Sequence, residues 1–548
     1  MEDSSPSGIL TNKLAAMAEQ KVEEGVAKKA QEQNLSYVDL RQSIITPEAV
    51  SMLAEETARA HKVIVFLKSE TVIALGTLDP TTEDIKKIVS DLEEKNKLKV
   101  AVYVVSEASL AHAFSAYTKV LKTYTPAGVV IAKADLEKYT VSLANLKQLK
   151  KSLDTANLTE KVIVMIAGAL PLNASDIHVE AEQDGIAVRY RIDGVLHHVA
   201  ELPEATWKQL IARLKLLSHL KINVSDRPQD GRFTIDLVDD AIDVRVSTIP
   251  TAYGESVVIR LLRSSSAGVE FESLGLFEPA KTQLLSQVKR PNGMVITTGP
   301  TGSGKTTTLY ALLNLLNTED NKIITLEDPI EYKLKGINQS QVDHGKGYSF
   351  ADGLRSILRQ DPDIVMVGEI RDLETAEVAL NAALTGHIVL STIHTNSAAG
   401  AIPRFLAMGV KSFLLGPALN ACVGQRLVRR LCEKCKKEIT LDEATSKKVK
   451  ALVEALPDGH EAKNKPFKFF GPVGCSECFS LGYKGRIGIY EVLAMSQTIE
   501  KMIQDNIMSE YQIQEAASHE GLITMIQDGI IKALNGITSL DEVFQVAE

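Results

Sequence analysis

The stretch GPTGSGKT, residues 299–306, decides the fold of the largest part of this 548-residue chain. It fits the pattern G-x-x-x-x-G-K-[ST] at every fixed position. An apolar run at residues 294–298 predicts a strand before it, and residues 307–316 predict a helix after it. In that context, backbone N–H groups close around phosphate oxygens at a helix N-terminus. The sequence therefore predicts a phosphate-binding loop made of Gly299, Pro300, Thr301, Gly302, Ser303, Gly304, Lys305, Thr306 and Thr307.

Two side chains of this loop carry its predicted chemistry. Lys305 is expected to reach the β- and γ-phosphates of a nucleoside triphosphate. The hydroxyl group of Thr306 is expected to ligate Mg²⁺. A glycine-rich turn that matches the pattern by chance is the alternative, and the strand and helix on either side argue against it.

Acidic residues follow two predicted strands. Residues 323–331 have the sequence IITLEDPIE and contain three acids, Glu327, Asp328 and Glu331. Residues 364–369, IVMVGE, end in Glu369. Ligands of open α/β sheets lie beyond the carboxyl ends of the strands, where both groups of acids fall. We expect them to organise Mg²⁺ or to activate water. The alternative is that these acids only cap loops and helices.

A histidine stands at each end of another predicted strand, in TGHIVLSTIHTN, residues 385–396. His394 lies at its carboxyl end, beside the expected phosphates, where a neutral imidazole can sense the γ-phosphate. His387 lies at its start, and we interpret it as structural.

Four of the five cysteines form two C-x-x-C pairs, separated by 39 residues in the sequence. Four thiolates at this spacing favour a closed, tetrahedral, structural Zn²⁺ site formed by Cys432, Cys435, Cys475 and Cys478. Four unconnected free cysteines are the alternative. Cys422 is predicted to be a core residue in an apolar helical stretch. The basic run at residues 426–437 is interpreted as a solvated face, with acidic lipid or an acidic partner as the other possibility.

Arginines are expected to complete the nucleotide site, because a phosphate loop alone leaves transition-state charge under-neutralised. Arg245 alternates with the apolar residues of its predicted strand and therefore points away from the core. Arg260 interrupts the apolar run at residues 257–262, which is costly unless an anion awaits it. Arg355 and Arg359 are four apart on a predicted helix and share a face. Surface or salt-bridged arginines are the alternative in each case.

Composition excludes several classes of protein. Lys plus Arg is 61 and Asp plus Glu is 70, which gives a net charge of −9 and argues against a protein that coats nucleic acid. No run approaches the roughly 18–20 apolar residues of a spanning helix. The polar start MEDSSPSG is unlike a signal peptide. We therefore expect a cytoplasmic protein, at most docked to a membrane, with reduced cysteines.

The patterning predicts a multidomain α/β chain with five parts. Strand-like runs at 63–67, 72–75, 100–105 and 129–132 alternate with helical patterns at 48–60 and 82–92. Alternating antiparallel strands follow, with turns at 193–194 and 239–240 and a helix at 207–220. Further strands at 322–326, 364–367 and 387–392 predict a mostly parallel sheet, before a helical stretch at 498–548. The predicted parts are a flexible segment, 1–34; an accessory α/β domain, 35–133; a linker, 134–157; an α+β domain, 158–268; and a large α/β domain, 269–548, with a zinc-binding insert at about 430–487.

Taken together, four motifs resemble the secretion-type hexameric ATPases of type IV pilus assembly and type II secretion. They are the phosphate loop, ITLEDPIEY, GLRSILRQDPDIVMVGEIRD and TGHIVLSTIHTN, in this order and spacing, and the resemblance covers roughly residues 35–548. It implies ATP as the nucleotide, a RecA-like domain for the large α/β part and a PAS-like domain before it. The third of these motifs is the Walker B segment of the family, and its acid is Glu369 where the general motif has Asp. The family shares this departure.

The resemblance also implies roles for individual residues. It makes Glu331 the carboxylate that polarises the attacking water and Glu369 the organiser of the metal, and it places Glu327 in the nucleotide site. Arg245 and Arg260 would close over the γ-phosphate. The resemblance further places Arg355 and Arg359 near the nucleotide and the subunit boundary.

The same resemblance implies a homohexamer at the inner face of the cytoplasmic membrane. Its partners would be an inner-membrane platform protein and pilus or secretion scaffold proteins, with no direct contact with nucleic acid. The tetracysteine arm is typical of assembly and secretion ATPases rather than retraction ATPases. The region of residues 37–132 resembles the accessory domain of the assembly enzymes through YVDL, residues 37–40, the helix start Pro47-Glu48-Ala49 and Leu78-Asp79-Pro80. It lacks the Arg-Leu-Gly-rich motif with which some relatives bind cyclic di-GMP, so no such binding is predicted.

Three alternatives to a pilus assembly ATPase stay open at this point. A type II secretion ATPase has nearly the same motifs. A nucleic-acid translocating or conjugation-type motor would need a basic pore. A zinc-bearing nucleotide-binding scaffold that never turns over is the non-enzyme alternative.

Overall fold

A computed structural model describes residues 23–120 and 149–547, apart from short gaps at 24, 33–34, 42, 44, 51, 54, 69–71, 151, 154–155, 157, 237–240 and 264–268. The chain forms two compact units, Met1–Val130 and Ile131–Glu548. Most of the predicted flexible segment 1–34, most of the linker 134–157 and the predicted strand 129–132 lie outside the described residues; within the segment, residues 25–32 are helical. Within the described part, every helix is too short or too polar to cross a lipid bilayer.

The first unit contains a four-stranded sheet in the order β1-β4-β3-β2. Its strands are β1 Ser36–Tyr37, β2 Val63–Lys68, β3 Val72–Thr77 and β4 Lys99–Val104. Strands β2 and β3 are antiparallel, and the other pairs are parallel. Ile64 packs into the apolar cluster on one face, whereas Val63 and Val65 pack into the cluster on the other, as the alternation of a strand requires.

Helices cover both faces of this sheet. They are Pro47–Val50, Glu55–Ala60, Glu83–Asn96 and Glu107–Val120. The strands predicted at 63–67, 72–75 and 100–105 and the helix predicted at 82–92 are confirmed. The helix predicted at 48–60 is broken into two short helices.

The second unit contains a helix, Leu158–Ala169, followed by a six-stranded sheet in the order β7-β6-β5-β10-β9-β8, antiparallel throughout. Its strands are β5 Asp176–Glu182, β6 Gly185–Ile192, β7 Val195–Leu202, β8 Gln229–Asp236, β9 Ala241–Thr251 and β10 Gly254–Arg263. Asp193 and Gly194 both have positive φ, 49° and 90°, as a two-residue hairpin turn between β6 and β7 needs. The turn predicted at 239–240 lies outside the described residues.

Alternation along this sheet separates its core from its open face. Ile242, Val244 and Val246 are buried, and Arg245 lies between them on the other face, as predicted. A helix, Trp207–Leu217, contributes Leu210 and Leu214 to the buried residues, and it ends three residues before the predicted boundary.

A seven-stranded sheet dominates the second unit, in the order β13-β12-β14-β15-β11-β16-β19. All neighbours are parallel except β16 and β19. Its strands are β11 Gly293–Thr298, β12 Ile323–Glu327, β13 Asn338–Gln341, β14 Ile364–Val367, β15 Ile388–Ile393, β16 Leu419–Leu431 and β19 Tyr483–Ala494. Met294 and Ile296 join the apolar cluster on one face and Val295 joins that on the other, so both faces are buried.

Helices cover both faces of the seven-stranded sheet or follow its last strand. They are Ala280–Val288, Lys305–Leu316, Phe350–Leu358, Leu373–Leu384, Ala401–Ala407, Ser412–Ala418, Gln497–Gln504, Glu510–His519, Met525–Leu534 and Leu540–Ala547. The last four confirm the helical stretch predicted at 498–548. The carboxyl ends of β11, β12, β14 and β15 lie at one edge of the sheet, so the residues that follow these strands meet there.

One sequence prediction in this region is wrong. Cys422 is buried as predicted, but it lies on strand β16 and not in a helix. Its run of apolar residues is fully buried in a sheet, and such a run has no period that separates helix from strand.

The segment between the two cysteine pairs forms a small arm. It contains a two-stranded sheet, β17 Lys437–Ile439 with β18 Phe469–Gly471, and a helix, Glu443–Glu454. The segment between the cysteine pairs is therefore helical mainly in its middle.

Candidate nucleotide site

The phosphate loop joins β11 to the helix Lys305–Leu316. Gly302 and Gly304 have φ of 82° and 88°, a region that glycine enters freely, so the loop curls tightly. The Lys305 ammonium donates to the carbonyl oxygens of Gly299 at 2.8 Å and Pro300 at 3.1 Å. Burial lowers the pKa of Lys305, partly offset by the nearby Glu369 carboxylate. The lysine is thus held across the loop, with a charge that an anionic ligand would stabilise.

A buried side chain of strand β16 holds the phosphate loop through a hydrogen bond. The Gln425 amide, fully buried, donates to the Ser303 carbonyl oxygen at 2.8 Å. A Cβ atom at Gly299 would lie 2.6 Å from the backbone carbonyl oxygen of Gln425, so only glycine fits there. Sequence reasoning did not identify Gln425, because it stands in a strand without any motif of its own.

A cavity of about 750 Å³ opens over the loop. Lys305, Thr306, Glu369 and His394 line it from the seven-stranded sheet, and Arg260 lines it from the six-stranded sheet. The loop residues Thr301, Gly302, Gly304 and Thr307 also lie on its wall. The six-stranded and seven-stranded sheets therefore share one site, with cationic groups on both sides of the space that a triphosphate would occupy.

Glu331, which follows β12, lines the same cavity and is engaged by an arginine of the other sheet. The guanidinium group of Arg245 donates to the Glu331 carboxylate at 3.0 Å and to the Ile330 carbonyl oxygen at 3.0 Å. Asp243 is a further, more distant acidic neighbour at 3.7 Å. Arg245 thus reaches across from β9 to the carboxylate proposed to act on water.

Glu369, after β14, is mostly buried and has two basic neighbours. Its carboxylate pairs with the guanidinium of Arg371 at 2.6 Å and with Nε2 of His394 at 3.5 Å. The two residues predicted from separate strands therefore stand side by side. Together with Thr306, Glu369 provides the oxygen ligands that Mg²⁺ prefers.

Glu327 has a different environment from the other acids. It is buried, and its carboxylate accepts hydrogen bonds from Tyr310, from Thr325 at 2.5 Å and from Gln339 at 3.0 Å. Burial, and then the charge of Glu327, raise the pKa of Tyr310. Although Glu327 lines the cavity, its oxygens are occupied by these donors, which makes it a support for the end of β12.

Arg260 lies on the open face of an alternating strand and not within a buried run. Its Nε donates to the carboxylate of Asp176 at 2.9 Å, and Arg191 lies 3.5 Å from the same carboxylate. The expectation that Arg260 interrupts a buried run is therefore wrong, and the anion beside it here is the buried Asp176. More than half of the Arg260 side chain stays exposed, at 57%, so it remains available to a ligand.

Three predicted arginines, Arg245, Arg355 and Arg359, lie outside the lining of this cavity, although the Glu331 partner of Arg245 lines it. Arg355 pairs with Glu374 at 2.8 Å, and Arg359 donates to Ser356 at 3.2 Å. Their predicted place in the nucleotide site stays a prediction. His387 has the structural surroundings expected of it, since its Nδ1 lies 3.0 Å from the Ala382 carbonyl oxygen.

Two further arginines of the cavity were not identified from the sequence. Arg191 comes from β6, and Arg486 comes from β19, just after the second cysteine pair. Next to Arg486, the Gly485 N–H donates to the Asp193 carboxylate at 2.8 Å, which ties β19 to the six-stranded sheet. Neither arginine lies in a recognisable sequence pattern. The contact between Gly485 and Asp193, which brings the two arginines to one cavity, joins residues almost 300 positions apart.

The four paired cysteines form a cluster whose geometry fits Zn²⁺. Their Sγ atoms all lie within 4.8 Å of one another, and three pairs are 3.8 Å apart. Tetrahedral Zn–S bonds of about 2.3 Å give sulfur separations of about 3.8 Å. Burial opposes ionisation of Cys478, but the N–H groups of Cys475 and Gly482 outweigh it and lower its pKa. The cluster is therefore suited to a structural metal ion.

The chain matches the family described as type II/IV secretion system protein over residues 151–545. It is 39% identical, over 523 residues, to the type IV pilus assembly ATPase PilB of Pseudomonas aeruginosa, a match that spans 95% of this chain and 90% of that protein. It is 42% identical, over 416 residues, to type II secretion system protein E of Dickeya dadantii, which spans 76% of this chain and 81% of that protein.

A solved structure shows the same fold. The ATPase DotB of Legionella pneumophila is similar with a TM-score of 0.53 and 22% identity, over 72% of this chain and 96% of that one. The family match spans more than half of the chain, and the sequence motifs of the phosphate loop lie within it. The chain therefore belongs to the type II/IV secretion system protein family and is one of its ATPases.

Proposed function

We propose that the chain powers type IV pilus assembly by hydrolysing ATP in the cleft between its two large sheets. One observation carries this proposal: Lys305, Glu369, His394 and Arg260 line a single cavity although they come from four separate segments. The pilus assembly relative of Pseudomonas aeruginosa supports the choice of cargo, since its match extends over 95% of the chain.

In this proposal the phosphate loop holds the triphosphate and Lys305 moves from its loop carbonyl oxygens onto the phosphate oxygens. Thr306 and Glu369 would hold Mg²⁺, which neutralises phosphate charge. Glu331 accepts a proton from the attacking water once Arg245 has left its carboxylate. His394, beside Glu369, senses the γ-phosphate.

The closing step moves arginines between sheets. Arg245 and Arg260 belong to the six-stranded sheet, whereas the phosphates would lie at the loop that follows β11 of the seven-stranded sheet. Their attraction to the γ-phosphate would draw the first sheet onto the second, and loss of that phosphate would release it. Hydrolysis is thereby converted into displacement.

The finer organisation is part of the same proposal. We propose a PAS-like domain at 158–268 and a RecA-like domain at 269–548, after an accessory domain at 35–133 and a linker at 134–157. The zinc insert spans about 430–487. A homohexamer at the inner face of the cytoplasmic membrane would pass its movement to a platform protein, and Arg355 and Arg359 would lie near the boundary between subunits.

Two measurements test the proposal. Purified chain should hydrolyse ATP with Mg²⁺, and Lys305→Ala should abolish both nucleotide binding and hydrolysis. Deletion of the gene in the source organism should remove surface pili and leave the secreted proteins unchanged. Loss of secreted proteins with pili intact would instead favour a role in type II secretion. The 42% identity to type II secretion system protein E supports that alternative. Absence of hydrolysis by the wild-type chain would contradict the proposal itself.

A further inference from the structure

The segment after β15, residues 394–400, carries His394 into the cavity and is fixed at its front by the phosphate-loop strand. The Thr395 N–H donates to the Thr298 hydroxyl oxygen at 2.9 Å, and that hydroxyl lies 3.0 Å from the Thr395 carbonyl oxygen. Thr298 is the last residue of β11, directly before Gly299. The segment and the phosphate loop therefore share one anchor.

The back of the segment is held by a buried carboxylate of β19. The Ala398 N–H donates to the Glu491 carboxylate at 2.9 Å, and the Met525 N–H is a second donor to it. Glu491 is only 2% exposed, in a strand whose neighbours Tyr490 and Val492 are apolar core residues. A buried carboxylate is costly unless donors satisfy it, so its place here indicates a specific task.

Charged groups from two further elements converge on the same segment. The Arg426 guanidinium of β16 donates to the Asn396 carbonyl oxygen at 3.0 Å, and the Ser397 hydroxyl donates to the Glu510 carboxylate. Burial is the main cause of the raised pKa of Glu491; the N–H groups of Ala398 and Met525 and the charge of Arg426 lower it, and Glu510 raises it. The segment is thus bound by side chains and not by strand pairing.

The segment also rests directly on β16. Gly424 pairs with Glu491 across β16 and β19. A Cβ atom at Gly424 would lie 2.9 Å from the Ala398 nitrogen and 3.4 Å from the Ser397 carbonyl carbon. Any larger residue at Gly424 would lift the segment away from the Glu491 carboxylate without changing a charge.

His394 itself is held loosely. Its imidazole is half exposed, and its contact with Glu369, at 3.5 Å, is at the outer limit of a hydrogen bond. The position of the ring is therefore set by the backbone that follows it. Glu491 is buried and lies outside the cavity lining.

We propose that Glu491 is a positioning residue for hydrolysis, which holds residues 395–398 so that the imidazole of His394 faces the γ-phosphate. This inference rests on the proposed ATPase activity. It makes β19, the strand that leaves the second cysteine pair, a support of the catalytic centre. A displacement of about 1 Å in such a segment costs up to roughly 100-fold in rate.

The test compares full-length variants in steady-state ATP hydrolysis and in binding of a fluorescent ATP analogue. Glu491→Ala should lower kcat by roughly 10- to 100-fold and leave the analogue's Kd within about twofold, since the phosphate loop is untouched. Glu491→Gln, whose amide oxygen still accepts from Ala398, should keep kcat within about threefold of wild type. Gly424→Ala should reproduce the Glu491→Ala loss without removing a carboxylate.

A double variant separates positioning from general destabilisation. Because Glu491 acts through His394, Glu491→Ala combined with His394→Ala should be no slower than His394→Ala alone. The inference would be overturned, with the ATPase activity intact, if the loss of kcat in the double variant equalled the product of the losses in the two single variants. An unchanged kcat of Glu491→Ala would overturn it as well. Full activity of His394→Ala would overturn it too. If Glu491→Ala does not fold, Gly424→Ala replaces it in the double variant, and absence of hydrolysis by wild type would overturn the proposed function as well.

Discussion

Replacing Arg245 by alanine should abolish ATP hydrolysis while barely changing stability. The Arg245 side chain is 28% exposed and that of Glu331 is 33% exposed, so their ion pair is partly in solvent. Such pairs contribute about 0.2–1 kcal/mol to the free energy of unfolding. An arginine that neutralises the γ-phosphate in the transition state is worth about 10³–10⁵ in rate, or roughly 4–7 kcal/mol. The catalytic effect exceeds the structural one several-fold, and the two are measured separately.

Arg189 offers a matched control. It pairs with Glu180 on the same six-stranded sheet, where the two side chains are 36% and 23% exposed. Its partner Glu180 does not line the cavity, whereas Glu331, the partner of Arg245, does. Arg189→Ala should change the melting temperature about as little as Arg245→Ala and should leave hydrolysis unchanged. Arg245→Lys keeps the charge but loses the planar fork, so it should recover stability and little activity.

The assay is phosphate release by the purified full-length variants, with melting temperature recorded on the same samples. We expect kcat of Arg245→Ala to fall at least about 1,000-fold relative to Arg189→Ala. If hydrolysis by Arg245→Ala stays within about tenfold of that control, Arg245 does not reach the transition state. The ion pair with Glu331 would then be a surface contact only.

Three further variants test other parts of the site. Glu331→Gln should bind ATP normally and lose nearly all hydrolysis, as measured by analogue binding and phosphate release; unchanged turnover would make the chain a nucleotide-binding scaffold. Elemental analysis should find about one zinc per chain, and Cys478→Ser should lose the metal and melt at a lower temperature, whereas metal-free native protein with unchanged melting would refute the zinc site. Tyr310→Phe should cost about 1–3 kcal/mol in denaturant unfolding, because it leaves one carboxylate oxygen of the buried Glu327 without its donor, with little effect on hydrolysis; the reverse pattern would give Glu327 a catalytic role.

Much of the site could be predicted because its residues stand in local patterns. The phosphate loop, Glu369 and His394 each follow a short apolar strand, and parallel strands bring their carboxyl ends to one edge. The cysteine cluster could be predicted from spacing alone. Each C-x-x-C pair already places two thiols close together, so one contact between the two pairs completes a four-thiol site. These are features in which sequence separation and geometry carry the same information.

Other residues could not be found in this way. Arg191 and Arg486 reach the cavity through a contact between β19 and the hairpin that contains Asp193, and nothing local in either segment marks it. Glu491 looks like an isolated acid in an apolar strand until the position of Ala398 is known. Cys422 was assigned to a helix because a buried apolar run has the same composition in a helix as in a central strand.

The most direct test of arginine-driven closure is a structure of the full-length chain with Mg²⁺ and a non-hydrolysable ATP analogue. In at least one subunit, the guanidinium of Arg245 should have left Glu331 and should lie within hydrogen-bonding distance of the γ-phosphate, with Arg260 beside it. If Arg245 remains on Glu331 and Arg260 on Asp176 in every nucleotide-bound subunit, hydrolysis does not draw the two sheets together.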